Sequence, residues 1–336
     1  MKNPQIIKFT KIIILNIFFI FLVLFVADYF TYLKFKNDYI KSHKDMLELY
    51  PQIKYMDKYK SGFSPNTLMF QNGKNNNLDY FRPISGEIYT DKNSILIFGC
   101  SFAYSHLLED NQTISEKLSQ FTKRTVYNFG MSACGIQHMY KLLELGGGSK
   151  KLFEKIKNPP DNIIYIYIPS HMQRLQSNIF PDVLGNNGRN LQYKIENNKL
   201  KEKFSPIDIF SKTFLISAFY YQKDLSMDFY DSKIKDENSE LAFKLFSESK
   251  RILQEKYPDI KFTILRYEVV DEYEEKMENP QMWKKLKDDG FIILKSSDLI
   301  GRKYKYNSED TNQDGYHPSE YAWDLLVPPL VKELNL

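Results

Sequence analysis

The sequence predicts an α/β domain of three layers over residues 93–336, in which helices cover both faces of a parallel sheet. Three observations support this prediction. Several apolar runs do not alternate with polar residues, which is typical of strands that are buried on both faces. Segments with helical spacing separate these runs, as crossovers between parallel strands require. The chain has 336 residues and is 43% hydrophobic, which is enough to bury at least one full core.

Strands and helices are expected to follow one another in a regular order. The expected strands are SILIFG, TVYNFG, NIIYIYIPS, IKFTILRYE and FIILKSSD. The expected helices lie in SHLLEDNQTISEKLSQFT, where Thr113 is the N-cap, and in GIQHMYKLLELGGG, SELAFKLFSESKRILQEKYP and PQMWKKLKDDG. Ligands bind beyond the carboxyl ends of the strands in such sheets, so polar residues that follow strands are the candidates for a site.

One stretch, at about residues 175–238, does not follow this order. It mixes aromatic and polar residues, and LQYKIENNKLKEKF resembles a hairpin that turns at Glu196, Asn197 and Asn198. We interpret the stretch as an insertion between the third and fourth strands of the sheet, close to the expected site.

Residues 1–33 are expected to form a short cytoplasmic tail and a transmembrane anchor. Residues 12–27, IIILNIFFIFLVLFVA, contain one polar side chain, that of Asn16, and with their apolar flanks they reach the roughly 20 residues that span a bilayer. A buried helix of a soluble domain would have to be apolar on every face. A cleaved signal peptide is disfavoured, because Phe25 and Ala27 fit its cleavage site poorly. Residues 34–92 then form a stalk and lead-in segment, which is rich in turn residues.

The charges beside the apolar segment are nearly balanced. Three lysines precede it and three follow it, at Lys2, Lys8, Lys11, Lys34, Lys36 and Lys41. A short basic N-terminal tail usually stays in the cytoplasm, so we expect a single-pass protein of the bacterial inner membrane with its C-terminal domain outside the cytoplasm. Lys and Arg total 46 against 42 Asp and Glu, and no basic block stands out, so no nucleic-acid partner is expected.

Cys100 and Cys134 are the two cysteines of the sequence and do not form a disulfide framework. Both fall in loops that border the expected site, and a disulfide needs Cα atoms roughly 4.4–6.8 Å apart with aligned Cβ atoms. We therefore predict two free, largely buried thiols. His106 and His138 are expected on exposed helix surfaces, and no histidine or cysteine spacing offers a metal-ligand set, so no metal or other cofactor is expected.

Polar residues follow the first three strands and precede the last helix. Ser101 follows the first strand, NFGMSACG contains the end of the second, and PSHMQR ends the third. Near the C-terminus, DGYHP places Asp314 three residues before His317, with Pro318 expected at the first helical position. A nucleophilic serine needs a base and a third group that orients the base, and an aspartate and a histidine on one turn can supply both. The oxyanion would need donors already in place: the N–H of Ser101, an N–H of the second loop and a side chain of the third.

These four blocks resemble those of the SGNH (GDSL) hydrolase superfamily. FGCSF, NFGMSACG, IPSHMQR and DGYHP occur in the family's order over residues 94–336, and the first and last blocks are the specific ones. The resemblance implies a flavodoxin-like three-layer fold. It also implies that Ser101 is the nucleophile, His317 the general base and Asp314 its orienting partner.

The same resemblance assigns the remaining site groups to the second and third blocks. The family's oxyanion glycine falls at Ala133, and Asn128 and Gly130 lie in the same loop. His171 takes the place of the third-block asparagine, with Ser170 less favoured, and Arg174 follows; a packing or ion-pair role for His171 stays open. Cys100 stands where the family has an aspartate, which removes a carboxylate and leaves the nucleophile.

The resemblance, together with the anchor expected from the apolar N-terminal segment, implies a membrane-anchored serine esterase or O-acyltransferase. The expected substrate is an ester, acetyl or another short acyl, of a cell-envelope glycan or of a lipid-like molecule. Hydrolysis and transfer use the same triad and differ in the access of water. The substituted third block leaves an alternative, a non-catalytic glycan-binding or assembly protein with the same fold. A plain membrane-tethered scaffold would leave the spacing of Ser101, Asp314 and His317 as a coincidence, and the sequence does not indicate an oligomeric state.

Overall fold

The computed structural model describes residues 15–16, 18–24, 26–27, 89–130, 134–146, 156–175, 192–202, 232–270 and 278–336. The chain divides into two compact units, Met1–Ser61 with Phe204–Phe229, and Gly62–Lys203 with Tyr230–Leu336. In the first unit the described residues lie between 15 and 27; they are helical, and their large apolar side chains are exposed. The rest of the expected anchor and nearly all of the expected stalk lie outside the described residues.

The structure gives one direct finding on membrane spans. Among the described residues, no helix combines the length and the apolar character needed to cross a bilayer.

The second unit contains the parallel sheet that the apolar runs predicted. Its strands lie in the order β2-β1-β3-β6-β7, and each neighbouring pair is parallel. The bounds are β1 Ser94–Gly99, β2 Val126–Asn128, β3 Pro160–Tyr167, β6 Lys261–Arg266 and β7 Ile292–Lys295. Three of these strands pair over long stretches; Ile97 of β1, for example, lies beside Ile164 of β3, which lies beside Thr263 of β6.

Helices cover both faces of this sheet. Their bounds are α1 Ser101–Tyr104, α2 Ile114–Thr122, α3 Ile136–Glu144, α4 Ser170–Gln173, α5 Ser232–Lys256, α6 Pro280–Asp288, α7 Ser296–Ile300 and α8 Glu320–Leu334. Successive strand residues point to opposite faces, which produces two cores. Leu96 and Phe98 of β1 pack with α3, α5 and α6, whereas Ile95 and Ile97 pack with α2 and α8. The predicted three-layer α/β/α architecture is confirmed.

Local signals in the sequence account for several boundaries. The side chain of Thr113 accepts a hydrogen bond from the N–H of Glu116, so the predicted N-cap of α2 is confirmed. The predicted hairpin is also observed, as β4 Tyr193–Glu196 and β5 Lys199–Glu202. Its turn residues, Asn197 and Asn198, have φ values of 51° and 59°, which asparagine tolerates better than most residues.

Two boundaries differ from the prediction. Helix α5 begins at Ser232, so residues 232–238 belong to a helix and not to the expected insertion. The start of this helix, SKIKDEN, is mostly polar and charged and shows little apolar periodicity. The other parts of the expected insertion, residues 176–191 and 203–231, lie outside the described residues.

The second difference concerns the start of α8. The helix begins at Glu320, and the side chain of Ser319 caps it by accepting a hydrogen bond from the N–H of Ala322 at 3.2 Å. Pro318 therefore precedes the cap and does not occupy the first helical position. The cap satisfies an N–H group that has no acceptor within the helix, which explains why the helix starts after the serine.

Candidate active site

Ser101 is held at the carboxyl edge of the sheet by a strand, a tight turn and a short helix. Gly99 ends β1 with φ +145°, and a Cβ atom there would lie 2.7 Å from the carbonyl oxygen of Ile166. A glycine is therefore required where the chain leaves the strand. Ser101 begins α1 and is 8% exposed, and its carbonyl accepts a hydrogen bond from the N–H of His106 at 3.0 Å. The backbone on both sides of Ser101 therefore holds its hydroxyl group at the edge of the sheet.

Asp314 and His317 lie on one tight turn before α8. Oδ1 of Asp314 accepts hydrogen bonds from the backbone N–H groups of Tyr316 and His317, each at 2.9 Å. Its Oδ2 lies 2.5 Å from Nδ1 of His317. Gly315, between them, has φ +69°, a conformation that favours glycine. One carboxylate therefore shapes the turn and also fixes the orientation of the imidazole ring.

The structure brings Ser101, His317 and Asp314 together in a single chain of contacts. Nε2 of His317 lies 2.7 Å from Oγ of Ser101, on the opposite side of the ring from Asp314. Burial favours the neutral form of Asp314, but hydrogen bonds and the charge of the His317 ring outweigh it and hold the pKa of this carboxyl below its ordinary value of 3.8. An ionised aspartate on Nδ1 favours the tautomer whose Nε2 can accept a proton from the serine.

Aromatic rings surround the imidazole of His317. The rings of Phe102 and Tyr316 lie 5.3 Å and 5.1 Å from it, and Tyr316 is 40% exposed. The ring of His106 lies 5.0 Å away and is half-buried. The prediction that His106 is an exposed helix residue is therefore wrong, because the chain turns back after α1 and packs this side chain beside the triad.

Asn128 and Gly130 of the second block support the helix that carries Ser101. The amide of Asn128 donates to the carbonyl oxygen of Ala103 at 2.7 Å, and its Oδ1 accepts from the N–H of Gly130 at 2.9 Å. A Cβ atom at Gly130 would lie 2.5 Å from the backbone nitrogen of Tyr104. Gly130 thus packs directly on α1, and its N–H is engaged by the side chain of Asn128.

The third block reaches the second loop through Arg174. Its Nη1 donates to the carbonyl oxygen of Cys134 at 2.6 Å, and its own carbonyl accepts from Nε2 of Gln137 at 2.7 Å. Arg174 therefore fixes one end of the loop that contains Ala133. Ala133 itself lies outside the described residues, so its assignment as an oxyanion donor stays a prediction.

His171 lies in the core and not on an accessible surface. Its side chain is fully buried on α4, with rings of Tyr165 and Tyr167 at 5.5 Å and 5.6 Å. Nδ1 shares a hydrogen bond of 3.1 Å with the hydroxyl group of Tyr165. Burial and the charge of Arg174 hold the pKa of His171 well below 6.5, so the ring is neutral. This placement favours the packing role that the sequence left open, since a substrate oxygen does not reach a fully buried ring.

His138 and the two cysteines also lie inside the domain. The prediction of an exposed His138 is wrong: it is 4% exposed, and Nδ1 accepts a hydrogen bond from the N–H of Gly135 at 3.0 Å, which closes the first turn of α3. Cys100 and Cys134 are both free and buried, as predicted. Within the described ranges, no group of three or more His, Cys, Asp or Glu side chains is placed to hold a metal ion.

Sequence reasoning did not identify one polar residue of the site, Asn312. Its Oδ1 accepts from the N–H of Asp314 at 3.1 Å, and its Nδ2 donates to the carbonyl oxygen of His106 at 2.8 Å. The signal was present, because an asparagine two residues before an aspartate in a turn-rich segment is typical of a side chain that bonds to its own backbone. The second bond, over 206 positions of sequence, could be found in the structure alone.

Comparisons with known proteins give similar folds at low sequence identity. No protein-family model and no curated protein matches the sequence. Among solved structures, the lipase Lip_vut3 from a goat rumen metagenome is 14% identical with a TM-score of 0.42, over 72% of this chain and 97% of that one. A member of the lipolytic protein G-D-S-L family from Veillonella parvula DSM 2008 is 12% identical with a TM-score of 0.38, over 73% and 99%. The psychrotrophic esterase EstA from Pseudoalteromonas sp. is 10% identical with a TM-score of 0.39, over 73% and 97%.

Proposed function

We propose that the protein is a serine ester hydrolase of the SGNH (GDSL) superfamily. One observation carries the proposal: Nε2 of His317 lies 2.7 Å from Oγ of Ser101 while Asp314 holds the other ring nitrogen. A hydroxyl, a base in hydrogen-bond reach and a group that orients the base are what nucleophilic catalysis by serine requires. The order of the four sequence blocks supports the same assignment.

In the proposed first step, Oγ of Ser101 attacks the carbonyl carbon of the ester and Nε2 of His317 takes the hydroxyl proton. Asp314 stabilises the imidazolium that forms, because its carboxylate stays ionised beside Nδ1. The tetrahedral intermediate then expels the alcohol, which receives the proton from Nε2, and an acyl ester of Ser101 remains. A water molecule gives up a proton to His317 as it attacks this ester, and the carboxylic acid and free Ser101 are released.

The proposed oxyanion donors are backbone groups. Ser101 is the first residue of α1, so its N–H lies in the turn where a helix offers no internal acceptor. The second donor that we propose is the N–H of Ala133; the described residues on either side of it are held in place, since Gly130 packs against α1 and the carbonyl oxygen of Cys134 accepts from Arg174. The burial of His171 removes the side-chain donor that the sequence favoured in the third block, and two backbone donors are enough to stabilise a tetrahedral intermediate.

We propose an ester of a cell-envelope glycan as the substrate. The acyl-enzyme would either be hydrolysed by water or transfer a short acyl group to a sugar hydroxyl. The exposed ring of Tyr316 beside His317 supports a carbohydrate, because aromatic faces pack well on sugar rings. Hydrolysis and transfer are distinguished by adding sugars with free hydroxyl groups to the acyl-enzyme. Release of free acid in proportion to substrate consumed indicates hydrolysis, and acylated sugar indicates transfer.

Attachment to the bacterial inner membrane through residues 1–33, with the second unit outside the cytoplasm, is also a proposal. It is supported by the apolar run in the sequence and by helical residues such as Phe19 and Leu22, which are 63% and 47% exposed. The full chain should float with liposomes, and Phe19→Arg with Leu22→Arg should abolish flotation. Phe121→Arg with Val270→Arg, which changes two exposed apolar residues of the second unit, is the matched control.

The catalytic proposal is tested by labelling with a fluorophosphonate, which reacts with activated serine hydroxyls. We expect one adduct per chain, located on Ser101 by peptide mass, and no adduct on the Ser101→Ala variant. Ser247→Ala, on the surface of α5, is the control and should be labelled like the wild type. A folded wild-type protein that takes up no label would contradict the proposal and favour the non-catalytic, glycan-binding alternative.

A further inference from the structure

We propose that Asn312 is a positioning residue that keeps His317 in register with Ser101. This inference rests on the proposed serine mechanism and extends it, because it names a residue outside the triad on which the reaction rate depends. The ring nitrogens of His317 bond to Asp314 and Ser101, so Asn312 does not act on the ring directly. It acts on the turn that carries the base and on the loop that follows the nucleophile.

Asn312 organises the turn of the base through three hydrogen bonds. Its Oδ1 accepts from the N–H of Asp314 at 3.1 Å, and its carbonyl oxygen accepts from the N–H of Gly315 at 2.9 Å. Its own N–H donates to the carbonyl oxygen of His317 at 2.8 Å. The backbone of Asn312 therefore closes the turn at both ends, and its side chain fixes the residue whose carboxylate orients the imidazole ring.

The other end of the Asn312 side chain reaches the loop of the nucleophile. Nδ2 donates to the carbonyl oxygen of His106 at 2.8 Å. The N–H of His106 in turn donates to the carbonyl oxygen of Ser101 at 3.0 Å. A continuous path of hydrogen bonds thus runs from the backbone of Ser101 through His106 and Asn312 to Asp314. This path is independent of the contact between Nε2 of His317 and Oγ of Ser101.

The path matters because the reacting contact joins two segments that are far apart in sequence. Proton transfer between Oγ of Ser101 and Nε2 of His317 needs hydrogen-bond distance, and a displacement of about 1 Å can lower a rate about 100-fold. A half-buried amide that bonds to both segments limits such displacement. The contribution of Asn312 should therefore show in the rate of acylation and not in the binding of the ester.

The experiment measures the rate and the final extent of fluorophosphonate labelling of Ser101, together with kcat and KM for p-nitrophenyl acetate. Asn312→Ala removes both side-chain hydrogen bonds. Asn312→Ser keeps an oxygen that can bond within the turn but is too short to reach His106. The control is Asn93→Ala, since Asn93 lies at the amino end of β1 and its amide bonds on the surface to Asp161.

We expect both Asn312 variants to label Ser101 to completion, with a rate and a kcat about 10- to 100-fold below those of the wild type and an unchanged KM. Asn93→Ala should match the wild type. Asn312 variants that label at the wild-type rate would overturn the positioning role but not the serine mechanism. The same holds if a variant labels at that rate but to a reduced extent, because part of the protein is then unfolded. A wild type that is folded and does not label would overturn the serine mechanism itself.

Discussion

Nε2 of His317 lies 2.7 Å from Oγ of Ser101, although the two residues are 216 positions apart in the sequence. The contact joins the carboxyl end of strand β1, which lies between β2 and β3, to the turn before the last helix. Its geometry therefore depends on the packing of α8 beside α2, on the face of the sheet that carries Ile95 and Ile97. The polar contacts of Gln112 and Lys117 with Glu320, at 2.9 Å and 2.6 Å, tie these parts together at the surface.

Asp314→Asn should lower kcat by about 10³- to 10⁴-fold, because an amide on Nδ1 of His317 favours the wrong tautomer and does not stabilise an imidazolium. Both residues accept hydrogen bonds through one oxygen, so the turn should persist and the free energy of unfolding at pH 7 should change little. The measurement is kcat with p-nitrophenyl acetate, beside an unfolding curve in urea. Asp324→Asn, which changes an exposed carboxylate of α8 that pairs with Lys117, is the control. Wild-type kcat in the Asp314 variant would remove this residue from the mechanism.

Gly130→Ala should destabilise the fold by about 1–3 kcal/mol, since the new methyl group would meet the backbone of α1 and neither segment can move aside. The displaced helix should also lower the rate of Ser101 labelling. Gly135→Ala is the control from the same block, because the nearest atom there is the flexible end of the Gln137 side chain. Equal unfolding free energies for the two variants would contradict the close packing of the second block on α1.

A variant with Tyr165→Phe and His171→Leu should keep kcat within a few-fold of the wild type. The two side chains bond to each other in the core, and replacing both partners with apolar groups avoids leaving a buried polar group unpaired. If His171 were the third oxyanion donor, kcat would fall by about 10²- to 10³-fold with the fold intact. Steady-state kinetics and a melting curve of the same preparation distinguish the two results.

The order of strands and helices and the positions of the triad residues followed from local signals. Continuous apolar runs indicated the parallel strands, and the spacing of Asp314 and His317 indicated a single turn. The burial of His138 and His171 did not follow, because α3 is covered around most of its circumference and the helix of His171 has four residues, too few for a periodic signal. The hydrogen bond from Asn312 to His106 could not be predicted either, since it depends on how α8 and its preceding turn pack against the loop after Ser101.

Tertiary packing also decides the position of His171, the third-block residue that the sequence suggested as an oxyanion donor. His171 follows a strand at the carboxyl edge and stands where the family has its third-block asparagine, which made both a functional role and a packing role possible. In the structure it turns toward Tyr165 and Tyr167, where ring contacts replace solvent. Whether the His171 side chain faces the site or the core depends on tertiary packing, and residue patterns of period 2 or 3.6 do not predict that packing.

The buried neutral histidines should make the domain less stable as the pH falls below about 6.5. Burial, together with the charge of Arg174, lowers the pKa of His138 to about 3. In the unfolded chain its pKa is about 6.5, so between these values the unfolded state binds a proton that the native state does not. The free energy of unfolding therefore rises with pH in this window, and His138 alone should account for a loss of roughly 2 kcal/mol between pH 7 and pH 5.

His138→Asn tests this prediction, because the asparagine oxygen can accept the hydrogen bond from the N–H of Gly135 while the side chain does not titrate. The measurement is the free energy of unfolding in urea at pH 7, 6 and 5 for both proteins. The variant should be less stable than the wild type at pH 7, since the smaller side chain leaves space in the core, and the difference should shrink by about 2 kcal/mol at pH 5. A constant difference across the three pH values would mean that His138 has the same pKa in the folded and the unfolded protein. In that case its buried position next to Arg174 would be wrong.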